Sequence, residues 1–197
     1  MKASLKLMVY FGLTISFLSF GGTVTLTRAD DDFDKVSGER HKGNKVKWEQ
    51  IVGILAPHWL VGGFEGASGP WTAERGRAVV DLSSGKLKFR VGGLVLAFQP
   101  RPPGETPIIG TSGGVTEVKG TLVCDALPSN PNPPPTSFVD TPFVPFGAQG
   151  DAEFEGVVSI PFACLATPQR LAFLIRLVEF ESPLFDHWIA HGAVRRP

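Results

Sequence analysis

Apolar and polar side chains alternate at period two over much of the chain from Trp48 onward. At 75–82, Gly76, Ala78, Val80 and Leu82 fall on one side. At 86–96, Leu87, Phe89 and Val91 face one way and Lys86, Lys88 and Arg90 the other. Residues two apart share a face of a strand, so both segments predict half-buried β-strands. Ser83, Ser84 and Gly85 between them predict a hairpin turn. Gly92 and Gly93 predict a bulge or a close backbone approach. Further strands are predicted at 49–55, 115–124 and 151–160. In the last, Ala152, Phe154, Gly156, Val158 and Ile160 point inward, and Asp151, Glu153 and Glu155 outward. Residues 138–146 carry Pro142 and Pro145, which restrict that segment to a sheet edge. The run 171–180 is nearly continuously apolar around Arg176, as in a buried central strand or a short helix. Residues 188–194 close the pattern.

Between these segments lie loops rich in glycine and proline at 58–71, 98–114 and 125–136. After residue 29 come all 17 prolines and 20 of the 23 glycines, a density that excludes a helical bundle. The expected fold is all-β: an antiparallel, Ig-like β-sandwich, or alternatively an open β-barrel, of about 7–9 strands. The basic outer face (Lys86, Lys88, Arg90) and the acidic one (Asp151, Glu153, Glu155) are expected to be neighbours in one sheet, paired across strands.

Residues 1–29 read as a signal peptide. Lys2 and Lys6 precede a charge-free run at 7–20, and the exit ends at Ala29. A helix of that length rises only about 21 Å, short of the ~30 Å hydrocarbon core, which argues against a membrane span; a shortened retained anchor is the competing reading. Residues 30–47 hold ten charges in 18 positions, acidic first and then basic, and are expected to form a disordered charged tether. The single folded domain then occupies 48–197. The expected location is secreted or periplasmic, with no membrane span in the mature chain.

The 19 basic and 19 acidic residues balance, but 1–29 contain three bases and no acid, so 30–197 carry a net charge of −3. That balance argues against nucleic acid as a partner and against a polybasic surface as the main theme. Cys124 and Cys164 are the only cysteines. In an exported chain they are expected to form a disulfide; two buried thiols or a metal pair are the alternatives.

Residues 75–96, the strand 114–124 and the segment 144–154 ahead of Cys164 are similar to a family of secreted bacterial β-sandwich proteins of unknown function. The similarity runs from about Ile51 to Val194 and implies a fold and an export route, with no activity to carry over. The first hairpin also faintly resembles the chordin-like (CHRD) domain in strand patterning, without the histidine pair of that domain.

Candidate chemistry is sparse. His187 and His191, with Asp186 or His58, have the residue types of a three-ligand metal site, although no glutamate completes a metalloprotease motif. Ser68, His58 and Asp81 offer the residue types of a hydrolase triad without its spacing. The glycines at 63–69 lack the helix that a phosphate cradle requires. Trp59, Phe64 and Trp71, clustered on one loop, are the candidate binding residues, because flat rings stack on sugars and anchor interfaces. The expectation is a non-catalytic protein without a cofactor, acting by surface recognition or as an envelope or matrix component. Its partner would be a protein or a polysaccharide surface. The alternatives are a carbohydrate-binding module using Trp59 and Trp71, and a metal-assisted hydrolase around His187 and His191.

Overall fold

A computed structural model describes residues 44–56, 58–98, 108–126, 137–177 and 187–196. Residues 1–29, read as a signal peptide, residues 30–43 of the expected tether, most of the loops at 98–114 and 125–136, the last three positions of the predicted 171–180 segment, and Asp186 lie outside the described residues. No helix among the described residues is long and apolar enough to cross a membrane.

The first part of the chain forms β1 (Lys45–Gly53), β2 (Leu60–Val61), β3 (Phe64–Glu65), β4 (Trp71–Thr72), β5 (Arg75–Asp81), β6 (Lys86–Gly92) and β7 (Val95–Leu96). Then come β8 (Glu117–Val123), β9 (Phe138–Asp140), β10 (Val144–Pro145) and β11 (Ala152–Val157). A short helix α1 (Phe162–Ala166) leads to β12 (Ala172–Leu177) and β13 (Trp188–Arg196). The all-β, antiparallel expectation holds. β1 begins at Lys45, three residues inside the stretch read as tether. There Val46 is buried, and the backbone pairs with β5 from Lys45 opposite Asp81.

Among the described residues, nine strands form one sheet in the order β10-β8-β12-β13-β1-β5-β6-β11, with β9 beside β8. The sheet curls on itself. Phe89 of β6 and Phe173 of β12 are four strands apart in that order, about 19 Å in a flat sheet. Their rings nevertheless lie 5.6 Å apart. A Cβ on Gly120 of β8 would come within 2.7 Å of Phe89 and 2.9 Å of Phe173, so only glycine admits both rings there. The turn at 147–150 joins the two ends of the sheet. Gly150 donates to the Gly147 carbonyl and accepts from Leu94 N–H, with a φ of +77° that suits glycine. The result is a curled half-barrel packing on itself, the open-barrel form of the expectation.

The 75–92 hairpin forms as predicted, with Ala78, Val80, Leu87, Phe89 and Val91 buried. β11 pairs with β6 and sets Glu153 opposite Arg90 and Glu155 opposite Lys88. The Lys88–Glu155 pair closes to 2.9 Å, so the two oppositely charged faces are indeed neighbours. The proline-bearing segment is an edge, also as predicted. β9 pairs only with β8, and Thr141 replaces the ladder where Pro142 breaks it. Its N–H donates to the Gly120 carbonyl, and its hydroxyl accepts from Gly120 N–H at 2.9 Å.

Cys124 and Cys164 form a disulfide with Cα atoms 4.6 Å apart, both fully buried. It ties the end of β8 to α1. A helix of five residues has no independent stability, so the bridge and its packing hold it in place.

Candidate functional site

On the outer side of the half-barrel, β8, β12 and β13 carry a second cluster, covered by the β2–β3 hairpin and bordered by β9. Trp188 anchors the hairpin. Its indole N–H lies 3.1 Å from each of the carbonyls of Trp59 and Phe64, and its backbone carbonyl accepts from Ala67 N–H. A buried Trp needs such an acceptor for its N–H. Arg176 lies opposite Trp188 in the β12–β13 ladder and is only 1% exposed. Its guanidinium stacks 3.8 Å from the centre of the Phe64 ring and donates to Asp140 at 3.1 Å.

Asp140 gathers three donors. Oδ1 accepts from Arg176 and from the Thr121 hydroxyl at 2.6 Å, and Oδ2 faces the Lys119 ammonium at 2.9 Å. Lys119, Thr121 and Arg176 reach this carboxylate because alternation on β8 and β12 turns them away from the barrel interior. Two rings flank it on the edge segment. Phe138 is 41% exposed and packs edge-on against Phe64 at 5.0 Å; Phe143 is 50% exposed, with Lys119 Nζ 5.7 Å above its ring. Exposed aromatic faces thus border a carboxylate held in one geometry by three hydrogen-bonding partners.

The predicted site residues are not brought together in the expected way. Trp71 is only 3% exposed and packs 6.4 Å from Phe146, so it offers no face to a ligand. β4 pairs with β7 and carries Trp71 into the core, whereas Trp59 stays 58% exposed on the hairpin. A two-tryptophan platform does not exist; Phe64 instead packs against Phe138, one of the two rings of the patch.

His187 precedes β13, and His191 lies four residues on. The register shift of the β12–β13 ladder falls between them, with Trp188 opposite Arg176 and Ala190 opposite Ile175. His58 lies 2.5 Å from Glu65. Among the described residues no three His, Cys, Asp or Glu side chains form a metal-binding group. Asp81 serves the hairpin turn, accepting from the Ser83 hydroxyl at 2.5 Å and from Ser83 N–H at 3.0 Å. Burial alone would raise its pKa, but these Ser83 bonds and those from Ser84 outweigh it and hold the carboxyl below its usual value.

No family model, curated protein or solved structure matches this chain. The site must therefore be read from its own residues. The Asp140 cluster escaped the sequence reading because its members lie on β8, β9, β12 and a remote hairpin. One signal was present: an arginine inside the apolar run 171–180 must either break that run or find a buried carboxylate.

His191 gives a pH dependence. Burial against Trp188, whose ring centre is 5.5 Å away, lowers the imidazole pKa; the Gly192 carbonyl opposes this more weakly. The native fold therefore takes up a proton less readily than the unfolded chain, whose histidine titrates near 6.5. The contribution of His191 is full above that value and is lost as the pH falls through it toward the folded pKa. Melting temperatures measured from pH 7 to pH 5 should fall more steeply for the wild type than for His191→Gln. Parallel curves would contradict this.

Proposed function

We propose that the chain is a secreted, non-catalytic recognition protein of an envelope or extracellular matrix, and that it grips an uncharged polysaccharide through the patch around Asp140. The observation that carries this reading is the pair of half-exposed rings, Phe138 and Phe143, on either side of a carboxylate fixed by Arg176, Thr121 and Lys119. Rings supply stacking area at low entropic cost, and a few fixed polar groups set orientation. The buried disulfide supports the secreted reading, since such bonds persist in oxidising compartments. The carbohydrate reading thus moves from Trp59 and Trp71 to Phe138 and Phe143, with Trp59 at the margin. The hydrolase reading finds no three-ligand group among the described residues, which leave out Asp186.

A thermal-shift panel tests the proposal, because a ligand that binds only the native state raises the melting point by mass action. Soluble xylan, β-glucan and cellulose oligosaccharides are compared with divalent cations and a chelator. At least one neutral polysaccharide should raise Tm, while cations and chelator leave it unchanged. A shift with a cation alone would overturn the reading.

A further inference from the structure

We infer that the loops at one end of the half-barrel form a docking surface for a neutral lipid bilayer. The registers bring the ends of β1, β6 and β12 and the starts of β5, β11 and β13 to that end. The connections β1–β5 and β6–β8 meet there. β4 of the first pairs with β7 of the second, Ala97 N–H donates to the Pro70 carbonyl, and Gly110 N–H donates to the Leu96 carbonyl. From these loops project Leu55, Trp59, Leu60, Phe98 and Ile109, between 38% and 76% exposed. The fold turns them outward. Ile54 fills the core, with its N–H on the Ile189 carbonyl and its carbonyl on Trp71 N–H, which leaves Leu55 outside. The two groups adjoin through one short stretch: Gly66 N–H donates to the Trp59 carbonyl, and Gly69 lies beside the Phe98 carbonyl. Three residues span at most about 11 Å.

Charge decides the occupant. Among the described residues of 54–73, 93–98 and 108–116, the only titratable side chains are His58 and Glu65, which face each other at 2.5 Å. The strands, by contrast, carry Lys47, Glu49, Lys88, Arg90, Glu153 and Glu155. A charge taken into a bilayer is costly, so an end cleared of charge and set with apolar side chains suits entry into the lipid interface. Indole rings such as that of Trp59 favour that depth. The net charge of −3 over 30–197 gives no attraction to anionic headgroups, so the lipid is a neutral one. A second copy of the chain would need a face shaped to match. These side chains instead stand on separate loops, with glycines of positive φ at Gly62, Gly63 and Gly110, and fluid lipid fits such projections where a rigid surface does not.

The test titrates the protein with vesicles of phosphatidylcholine and, separately, of phosphatidylglycerol, between about 0.01 and 1 M salt. Trp48, Trp71 and Trp188 are buried, so a change in tryptophan fluorescence reports Trp59. Phosphatidylcholine should shift that emission to the blue, independently of salt. Leu55→Gln/Phe98→Gln should partition about tenfold or more weakly, because two inserted apolar side chains have gone, and should melt with the wild type. Val157→Gln/Phe162→Gln removes two exposed apolar side chains at the opposite end of the sheet and should bind as the wild type does. The response of Leu55→Gln/Phe98→Gln to xylan should be unchanged, which separates this end from the Phe138–Phe143 patch. No blue shift with phosphatidylcholine, binding to phosphatidylglycerol alone, or equal losses in the two variants would each overturn the inference. So would a wild-type dimer that Leu55→Gln/Phe98→Gln dissolves, which would assign the face to a second copy.

Discussion

Asp140→Ala is expected to destabilise the fold by about 3–5 kcal/mol, the penalty for breaking a buried ion pair by removing one member. Arg176 is 1% exposed, and its guanidinium faces Asp140 and Thr121 on one side and the Phe64 ring on another. Lys119, 2.9 Å from the same carboxylate, also loses that ion pair. Arg176→Met should be milder, because Asp140 is partly exposed and keeps Lys119 and Thr121. The double variant should therefore be more stable than Asp140→Ala alone, a coupling that denaturant titrations of the four proteins can measure. A single-variant loss below about 1 kcal/mol, typical of exposed ion pairs, would show that the cluster is not a buried unit.

Cys124→Ala/Cys164→Ala should cost about 4 kcal/mol. The bridge spans a sequence separation of 40, and cross-linking a loop of that size removes a corresponding entropy from the unfolded chain. The loss should not spread evenly. α1 is held to β8 by this bond, and Arg170 then reaches back to Asp125 at 2.9 Å. Hydrogen exchange should accelerate most around residues 162–170 and least in β1, β5 and β6. Reduced wild type should approach the double variant in urea midpoint. Equal midpoints for oxidised and reduced protein would contradict the assignment of stability to this bond.

The strands and their faces were legible in the sequence wherever alternation was regular. The Arg75–Gly92 hairpin, the edge character of Phe138 and Val144, and the charge pairing of β6 with β11 all follow from period two plus turn and proline chemistry. The pairing of Cys124 with Cys164 needed only their number and a presumed export route. Closure was not legible. Whether a sheet curls depends on side chains meeting across four strands, as Phe89 and Phe173 do above Gly120, and local pattern carries no such information. The aromatic loop misled for a related reason. Trp59 and Trp71 look equivalent in a glycine-rich stretch, yet the two-residue β4–β7 pairing places Trp71 in the core. Arg176 was visible as an oddity in an apolar run. Its partner Asp140 lies 36 residues earlier, and only the folded sheet sets the two side by side.

The central claim is that recognition runs through the rings beside Asp140, and a titration of Phe138→Ala/Phe143→Ala against the wild type tests it most directly. The ligand is the neutral polysaccharide giving the largest thermal shift, xylan being the first to try, and calorimetry reads the affinity. Both rings are half-exposed, so the variant should keep a nearly unchanged Tm while binding about tenfold or more weakly, the loss expected when interface anchors are truncated. Undiminished affinity in a variant that melts with the wild type would contradict the account.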